Sequence, residues 1–200
     1  MAAYEPDDRV TSRAGEQAEH APFALEQPTQ DDTDTSAQAT KDGGNQMTVL
    51  ENSIRIDAPP AKVWSVLASL DVLNRYDPGV KKSEIVTPTR EGAGAARRFD
   101  LKPGGWFKER VADWKPIESL SFELFESTLP IRRLKHSYTL TSDGSGTVVR
   151  QRMECELKFG PFGKLMDVVM VRKNWDAGIK GFFDGLKVYV ETGRGPSDKE

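Results

Sequence analysis

The chain has 200 residues, of which 37% are hydrophobic and 30% are charged, and its net charge is −3. No stretch approaches the roughly 18 consecutive apolar residues of a membrane-spanning helix. The single cysteine, Cys155, excludes an intramolecular disulfide and a cysteine-based zinc site. We therefore expect a soluble, cytoplasmic protein.

Residues 1–46 differ sharply in composition from the rest of the chain. They hold ten acidic and three basic residues, a net charge of −7, and almost no large apolar side chains. Such a segment buries too little apolar surface to offset the conformational entropy lost on folding. We expect residues 1–46 and 194–200 to be disordered on either side of one folded domain, residues 47–193. The sequence also permits Met47 as the biological start, and it leaves the role of the acidic segment open.

The folded domain begins with a strand and two short helices. Apolar and charged residues alternate from Ile54 to Asp57, which is the two-residue repeat of a half-buried strand. Pro59 and Pro60 end this strand, and proline suits the first turn of a helix. Two short helical patterns follow, the second near residues 73–76.

Six further strand-like runs follow these helices. Short polar turns separate consecutive runs, which predicts an antiparallel meander. The runs cover residues 80–86, 95–101, 106–114, 120–126, 134–141 and 147–159. Together with the first strand they predict a seven-stranded antiparallel sheet.

The last predicted element is a helix of about thirty residues that begins near Phe162 and is about 45 Å long. Gly178, Gly181 and Gly185 lie three and four residues apart on one side of this helix. They indicate either close packing of the helix against the sheet or room for a ligand. The predicted apolar stripe consists of Leu165, Val169, Ile179, Phe182, Phe183, Leu186 and Val190.

Several short runs resemble one protein superfamily in their order and spacing. The runs are Ile54 to Trp64, Tyr76 to Val80, Glu109 to Trp114 with Pro116 after it, and His136 to Tyr138 leading to Gly146 and Thr147. With these runs, residues 48–192 resemble the START-like superfamily, also called SRPBCC. That superfamily includes polyketide cyclases and dehydrases, birch-pollen-allergen relatives, coenzyme Q-binding proteins and plant hormone receptors.

The resemblance implies an α+β helix-grip fold. In this fold a curved seven-stranded antiparallel sheet grips a long C-terminal helix, two short helices follow strand 1, and a ligand cavity lies between sheet and helix. The resemblance does not imply a reaction, because enzymes, carriers and receptors share the fold.

Alternation within each strand predicts which side chains face this cavity. Arg97, Glu109, His136 and Gln151 are the polar residues on an otherwise apolar face. The predicted lining is completed by Phe99, Phe107, Phe122, Tyr138, Met153 and Phe182. A bulge in any strand reverses its register, so each assignment depends on regular pairing.

Glu109 and His136 are the candidate catalytic residues, and other roles stay open for both. A desolvated carboxylate suits proton transfer, but Glu109 can equally form an ion pair with Arg97 or hydrogen-bond a ligand. Related hormone receptors place an acid from the corresponding strand in their ligand cavity. His136 is either a base in an aldol-type cyclisation or dehydration, or a structural group at the cavity mouth. Tyr138 and Gln151 either orient a ligand carbonyl or hydrogen-bond within the sheet.

The function favoured by the sequence is binding or transport of a small hydrophobic ligand, such as a lipid, quinone or polyketide. The alternative is a cofactor-free polyketide cyclase or dehydratase that transfers protons in the same cavity, so enzyme status is left open. No metal or organic cofactor is implied. The expected partner is a small hydrophobic molecule, with no nucleic acid and at most peripheral membrane contact, and the oligomeric state is left open.

Overall fold

The computed structural model describes residues 33–42, 45–158 and 172–195. Within these ranges the strands are β1 (Thr33–Asp42), β2 (Asn45–Ile56), β3 (Val80–Ile85), β4 (Ala96–Leu101), β5 (Trp106–Lys115), β6 (Ser119–Ser127), β7 (Ile131–Asp143) and β8 (Gly146–Leu157). The helices in the same ranges are α1 (Pro60–Leu67), α2 (Leu73–Tyr76) and α3 (Arg172–Thr192). None of these three helices has the length and apolar character needed to cross a bilayer.

The described strands form one antiparallel sheet in the order β1-β2-β8-β7-β6-β5-β4-β3. From β3 to β8 each strand pairs with the next along the chain, whereas β2 pairs with the last strand, β8. The strands β2 to β8 correspond to the seven predicted strands. The predicted helix-grip architecture of the α+β class is therefore confirmed.

β1 departs from the prediction, because it falls in the segment expected to be disordered. It pairs with β2 along its whole length, from Thr33 opposite Ile54 to Asp42 opposite Asn45. Backbone hydrogen bonds to an open sheet edge do not require apolar side chains, so a polar composition does not exclude a strand. The overlooked signal is local: the segment is rich in threonine, and two glycines separate Asp42 from Asn45, as is typical of a hairpin connection.

The remaining predictions of disorder fall mostly on residues that the structure does not describe. Residues 1–32, 43–44 and 196–200 lie outside the described ranges. At the other boundary, β2 begins at Asn45 and thus starts before Met47.

The short helices α1 and α2 contribute apolar side chains to the same core as the sheet. Pro60 begins α1, where the missing backbone N–H costs no helical hydrogen bond. Val63 and Leu67 of α1 and Leu73 and Tyr76 of α2 are buried. They join one hydrophobic cluster with residues of the sheet and of α3.

α3 packs its apolar stripe against this core, as the helical spacing predicts. The buried residues of the stripe are Ile179, Phe182, Phe183, Leu186 and Val190. Each large apolar side chain that is fully buried contributes about 1.5–3 kcal/mol to the free energy of unfolding. Leu165, Val169 and the predicted helix start near Phe162 lie outside the described residues.

The three glycines of α3 have different surroundings. A methyl group on Gly185 would overlap the backbone carbonyl of Tyr76, the last residue of α2. A methyl on Gly181 would lie 3.1 Å from Cγ of Pro78, whereas one on Gly178 would meet no atom within 4 Å. Close packing therefore explains Gly185 and Gly181. The two glycines pack against the end of α2 and the turn after it, whereas the predicted partner is the sheet.

Replacing Gly185 with alanine is expected to lower the free energy of unfolding by about 1–3 kcal/mol, because α3 must move away from Tyr76. Gly178→Ala is the matched control in the same helix. It should raise the free energy of unfolding by about 0.5–1 kcal/mol, since alanine favours the helix and the site is open. Urea unfolding measures both effects. Equal stability of the Gly185→Ala variant and the unmodified protein would contradict the close approach.

Candidate functional site

Three ionisable side chains meet on the buried face of the sheet. Arg97 of β4 is paired in register with Glu109 of β5, and His136 of β7 is paired with Phe122 of β6. Arg97, Glu109 and His136 are only 3%, 1% and 7% exposed. The alternation used in the sequence analysis therefore places all three on the correct face.

Glu109 is the centre of this cluster, because each of its oxygens has a different partner. Arg97 donates to Oε1 through Nε at 2.7 Å, and Nη2 of the same guanidinium lies 2.5 Å from Oε1. Nε2 of His136 lies 2.8 Å from Oε2. Since β6 separates β5 from β7, the contact with His136 spans an intervening strand, and the curvature of the sheet brings the two side chains closer on its concave face.

The charges around Glu109 keep its carboxylate ionised. Burial alone would raise the pKa of Glu109, but Arg97 and His136 outweigh burial and lower that pKa to about 2. A carboxylate with such a low pKa is a poor proton acceptor near neutral pH. Glu109 is thus suited to orienting His136, which then becomes the better candidate for a base.

Aromatic rings enclose the charged cluster. The guanidinium carbon of Arg97 lies 4.4 Å from the ring centre of Phe122 and 5.6 Å from that of Phe99. The ring of His136 stacks on Phe122 as well, with 5.1 Å between centres. These contacts fix the orientation of Arg97 and His136 and exclude water from around them.

A second chain of polar side chains lies beside this cluster on the same face. Asn52 of β2 donates from Nδ2 to Oε1 of Gln151 at 3.2 Å, and Gln151 donates from Nε2 to the hydroxyl of Tyr138 at 3.0 Å. Register places the three residues directly opposite one another across β2, β8 and β7. Burial raises the pKa of Tyr138, so its hydroxyl stays neutral.

Asn52 is the residue of this chain that the sequence analysis missed. It is only 3% exposed. The alternation of Ile54 and Ile56, continued two residues toward the N terminus, places Asn52 on the same buried face. That extension of the strand pattern would have identified it.

Three buried polar atoms in this region have no hydrogen-bond partner among the described residues: Asn52 Oδ1, Arg97 Nη1 and His136 Nδ1. Arg97 Nη1 is a donor. In a neutral His136 that donates Nε2–H to Glu109, Nδ1 carries the lone pair and is an acceptor, whereas in the imidazolium both ring nitrogens are donors. The region therefore offers an unpartnered donor on Arg97 and, on His136, an unpartnered atom whose hydrogen-bonding character follows its protonation state.

The other predicted cavity residues also lie on or near the buried face. Phe99, Phe122, Tyr138, Gln151 and Phe182 are buried, whereas Phe107 and Met153 are partly buried and pack against the core. Tyr138 stacks on Phe182 of α3 with 5.7 Å between ring centres. The predicted side-chain orientations therefore agree with the structure, and the proposed roles stay predictions.

A depression of about 300 Å³ lies along β2, β7 and β8, and alternation places most of its lining side chains, but not Asn52 and Gln151, on the exposed face. It is lined by Glu51, Asn52, Ser53, Ser137, Thr139, Arg150, Gln151 and Arg152. Its exposed side chains are mainly charged or hydroxyl-bearing, and Arg152 pairs with Glu51 across it. This surface differs from the aromatic surroundings of the buried cluster.

A curved antiparallel sheet that grips a C-terminal helix, with polar groups buried between them, defines an SRPBCC-type domain. The chain belongs to the polyketide cyclase / dehydrase and lipid transport family, whose model matches residues 47–191. A comparison with curated proteins gave no significant match.

Solved structures with the same fold support this assignment. A START superfamily protein from Mycobacterium smegmatis has 15% identity and a TM-score of 0.60, covering 72% of this chain and 97% of its own. The protein TTHA0849 from Thermus thermophilus has 23% identity and a TM-score of 0.63, covering 72% and 98%. The Zhui aromatase/cyclase from Streptomyces sp. R1128 has 17% identity and a TM-score of 0.56, covering 74% and 99%. Family and fold support a ligand-binding or polyketide cyclase-type role without specifying which.

Asp77, which follows α2, is a titratable group close to the charged cluster. Its Oδ1 accepts a hydrogen bond from the backbone N–H of Gly79 at 2.8 Å. Burial raises the pKa of Asp77 from 3.8 to about 6, and the hydrogen bond from Gly79 and, after it, the charge of Arg97 only partly offset this effect. The folded protein therefore retains a proton that the unfolded chain releases between these two pH values.

Because the folded protein retains this proton, we expect the contribution of Asp77 to stability to be fully present below about pH 4. This contribution should be lost as pH rises through about 6. The free energy of unfolding should fall by at most about 3 kcal/mol across this window. Asp77→Asn keeps an acceptor for Gly79 and should remove the slope. Asp71→Asn, at an exposed ion pair with Arg90, should keep it. Urea unfolding at several pH values checks this, and an unchanged slope in Asp77→Asn would contradict the assignment.

Proposed function

We propose that residues 47–193 bind a small, mainly apolar, ring-containing molecule between the sheet and α3. The ligand carries an oxygen that accepts a hydrogen bond from Arg97 Nη1 and donates one to His136 Nδ1. The observation that carries this proposal is that two buried atoms, Arg97 Nη1 and His136 Nδ1, have no hydrogen-bond partner among the described residues. A hydroxyl group is both acceptor and donor, so it matches Arg97 Nη1 and the Nδ1 lone pair of a neutral His136.

Energetics support a polar group at this position. A buried polar atom without a partner costs about 1–3 kcal/mol, and such atoms are rare in folded proteins. A ligand hydroxyl removes this cost at two atoms, which favours the occupied state. The gain applies only to ligands that place an oxygen beside Arg97 and His136.

The surrounding side chains restrict the rest of the ligand. Phe99, Phe122, Tyr138 and Phe182 present flat apolar surfaces around the cluster, and such surfaces favour aromatic or fused-ring molecules. A hydroquinone, a phenol or the enol form of a polyketide matches both atoms when His136 is neutral. A quinone has acceptor oxygens only and leaves the acceptor of neutral His136 unsatisfied.

Binding of three naphthalene probes tests this proposal, using calorimetry and native mass spectrometry. 2-Naphthol, which donates and accepts, should bind about tenfold more tightly than 2-methoxynaphthalene, which only accepts, because one hydrogen bond is worth about 1 kcal/mol or more. Naphthalene should bind most weakly. His136→Phe keeps the ring stacked on Phe122 and should abolish the preference for 2-naphthol.

Arg150→Ala is the control for this experiment, because Arg150 lines the exposed depression. It should leave the affinities for all three probes unchanged. Loss of binding in Arg150→Ala, with retention in His136→Phe, would move the site to the exposed face. Failure of all three probes to bind would contradict an interior site for ring-containing ligands.

The hydrogen bond between Glu109 and His136 favours a second candidate function, an aldol-type cyclisation. Nδ1 of His136 removes a proton from the methylene between two carbonyls, and Arg97 stabilises the enolate oxygen. The enolate carbon then forms a bond to a second carbonyl carbon of the same chain, and the imidazolium returns its proton to the resulting alkoxide. Glu109 stabilises the imidazolium in between. The fold shared with the Zhui aromatase/cyclase supports this candidate.

Glu109→Gln distinguishes catalysis from binding alone. With a linear 1,3-polyketone thioester as probe, the substitution should lower the rate of cyclisation at least about 100-fold, because the imidazolium loses its counterion. Affinity for 2-naphthol should change only a few-fold, which also reports that the site is folded. Product formation is followed by mass spectrometry and ultraviolet absorbance. If the unmodified protein binds 2-naphthol but shows no turnover, the cyclisation candidate is contradicted and only the binding function remains.

A further inference from the structure

We infer that Asn52 forms a second hydrogen-bonding position for the ligand, so that the ligand carries a polar group at each end. This inference rests on the proposed function and adds to it a restriction on the class of ligand. It starts from the third unpartnered atom among the described residues, Asn52 Oδ1, which neither Arg97 nor His136 accounts for.

The hydrogen-bonded side chains of Asn52, Gln151 and Tyr138 leave one amide atom of Asn52 without a partner, whichever way the two amide groups are oriented. As observed, Asn52 and Gln151 both donate toward Tyr138, and Oδ1 of Asn52 is left over. If both amides are reversed, the hydroxyl of Tyr138 donates to Gln151, Gln151 donates to Asn52, and Nδ2 of Asn52 is left over. One buried atom of Asn52 therefore lacks a partner in both arrangements, and it can either accept or donate.

The position of Asn52 separates it from the first hydrogen-bonding position. Asn52 lies on β2 and His136 on β7, with β8 between them. Two strand spacings correspond to about 10 Å between the backbones of these strands. Both side chains point to the buried face, so the two positions lie on the same face of the sheet, two strands apart.

Between the two positions, the polar side chains of Gln151 and Tyr138 bond to each other, and neither has an unpartnered polar atom among the described residues. Met153 of β8 is paired in register with His136, and Tyr138 stacks on Phe182 of α3. A ligand that bridges the positions is therefore apolar in its middle and polar at both ends. A rigid fused-ring molecule with hydroxyl or carbonyl oxygens on opposite edges fits this description, whereas a hydrocarbon or a lipid with a single polar end does not.

A purely structural role for Asn52 makes a different prediction. If the amide only orders Gln151 and Tyr138, replacing it disturbs the site for every ligand alike. If it contacts the ligand, replacement affects only ligands with a second polar end. Two probes with the same ring system separate these cases.

The test compares 2-naphthol with 2,6-dihydroxynaphthalene in the full chain by calorimetry. The unmodified protein should bind the diol at least about tenfold more tightly than 2-naphthol. Asn52→Leu should reduce the affinity for the diol to that for 2-naphthol and should change the affinity for 2-naphthol less than about threefold. Asn52→Ser, which keeps a polar group, should retain part of the preference and serves if Asn52→Leu does not fold.

Ser53→Ala is the matched control, because Ser53 follows Asn52 directly and alternation places its side chain on the opposite face of β2. It should leave both affinities unchanged. Equal affinities of the unmodified protein for the two probes, or a parallel loss of both in the Asn52 variants, would overturn the inference while leaving the proposed function in place. Failure of both probes to bind would overturn the proposed function as well.

Discussion

The buried carboxylate of Glu109 is the constraint on which the rest of the site depends. An ionised carboxylate away from water costs several kcal/mol unless opposite charges and hydrogen bonds compensate for the lost hydration. Here the compensation comes from Arg97 on the neighbouring strand and from His136 two strands away. The curvature of the sheet brings the side chains of β5 and β7 closer together on this face. Fold and electrostatics at this site are therefore mutually dependent.

Packing outside the cluster maintains that curvature. The stripe of α3 fills the concave face of the sheet, and Gly185 allows the helix to approach the carbonyl of Tyr76. Tyr76 in turn contacts Phe182 with 5.6 Å between ring centres. Since Phe182 also stacks on Tyr138, a continuous series of contacts connects the end of α2 with the polar chain on β7 and β8. A shift of α3 would thus be transmitted to the proposed ligand site.

The sequence predicted the faces of the strands well, because one buried face fixes the register of each strand. Arg97, Glu109, His136 and Gln151 all lie where alternation places them, despite irregular pairing of β5 at Glu109. Other features depend on information that alternation does not contain. β1 is held by backbone hydrogen bonds and has no apolar pattern to reveal it. The contact of His136 with Glu109 crosses β6, so strand order alone does not predict it.

The geometry of Arg97 bears on whether the cluster is only structural. An arginine that merely neutralises a carboxylate usually bonds both oxygens with its two parallel N–H groups. In this site Nε and Nη2 of Arg97 both approach Oε1, and Oε2 is left to His136. That arrangement forgoes the two-oxygen ion pair, fixes the position of the imidazole through Nε2 and leaves Nη1 without a partner among the described residues. This division gives each oxygen of the buried carboxylate its own partner, and the proposed function uses the Arg97 and His136 atoms that it leaves unpartnered.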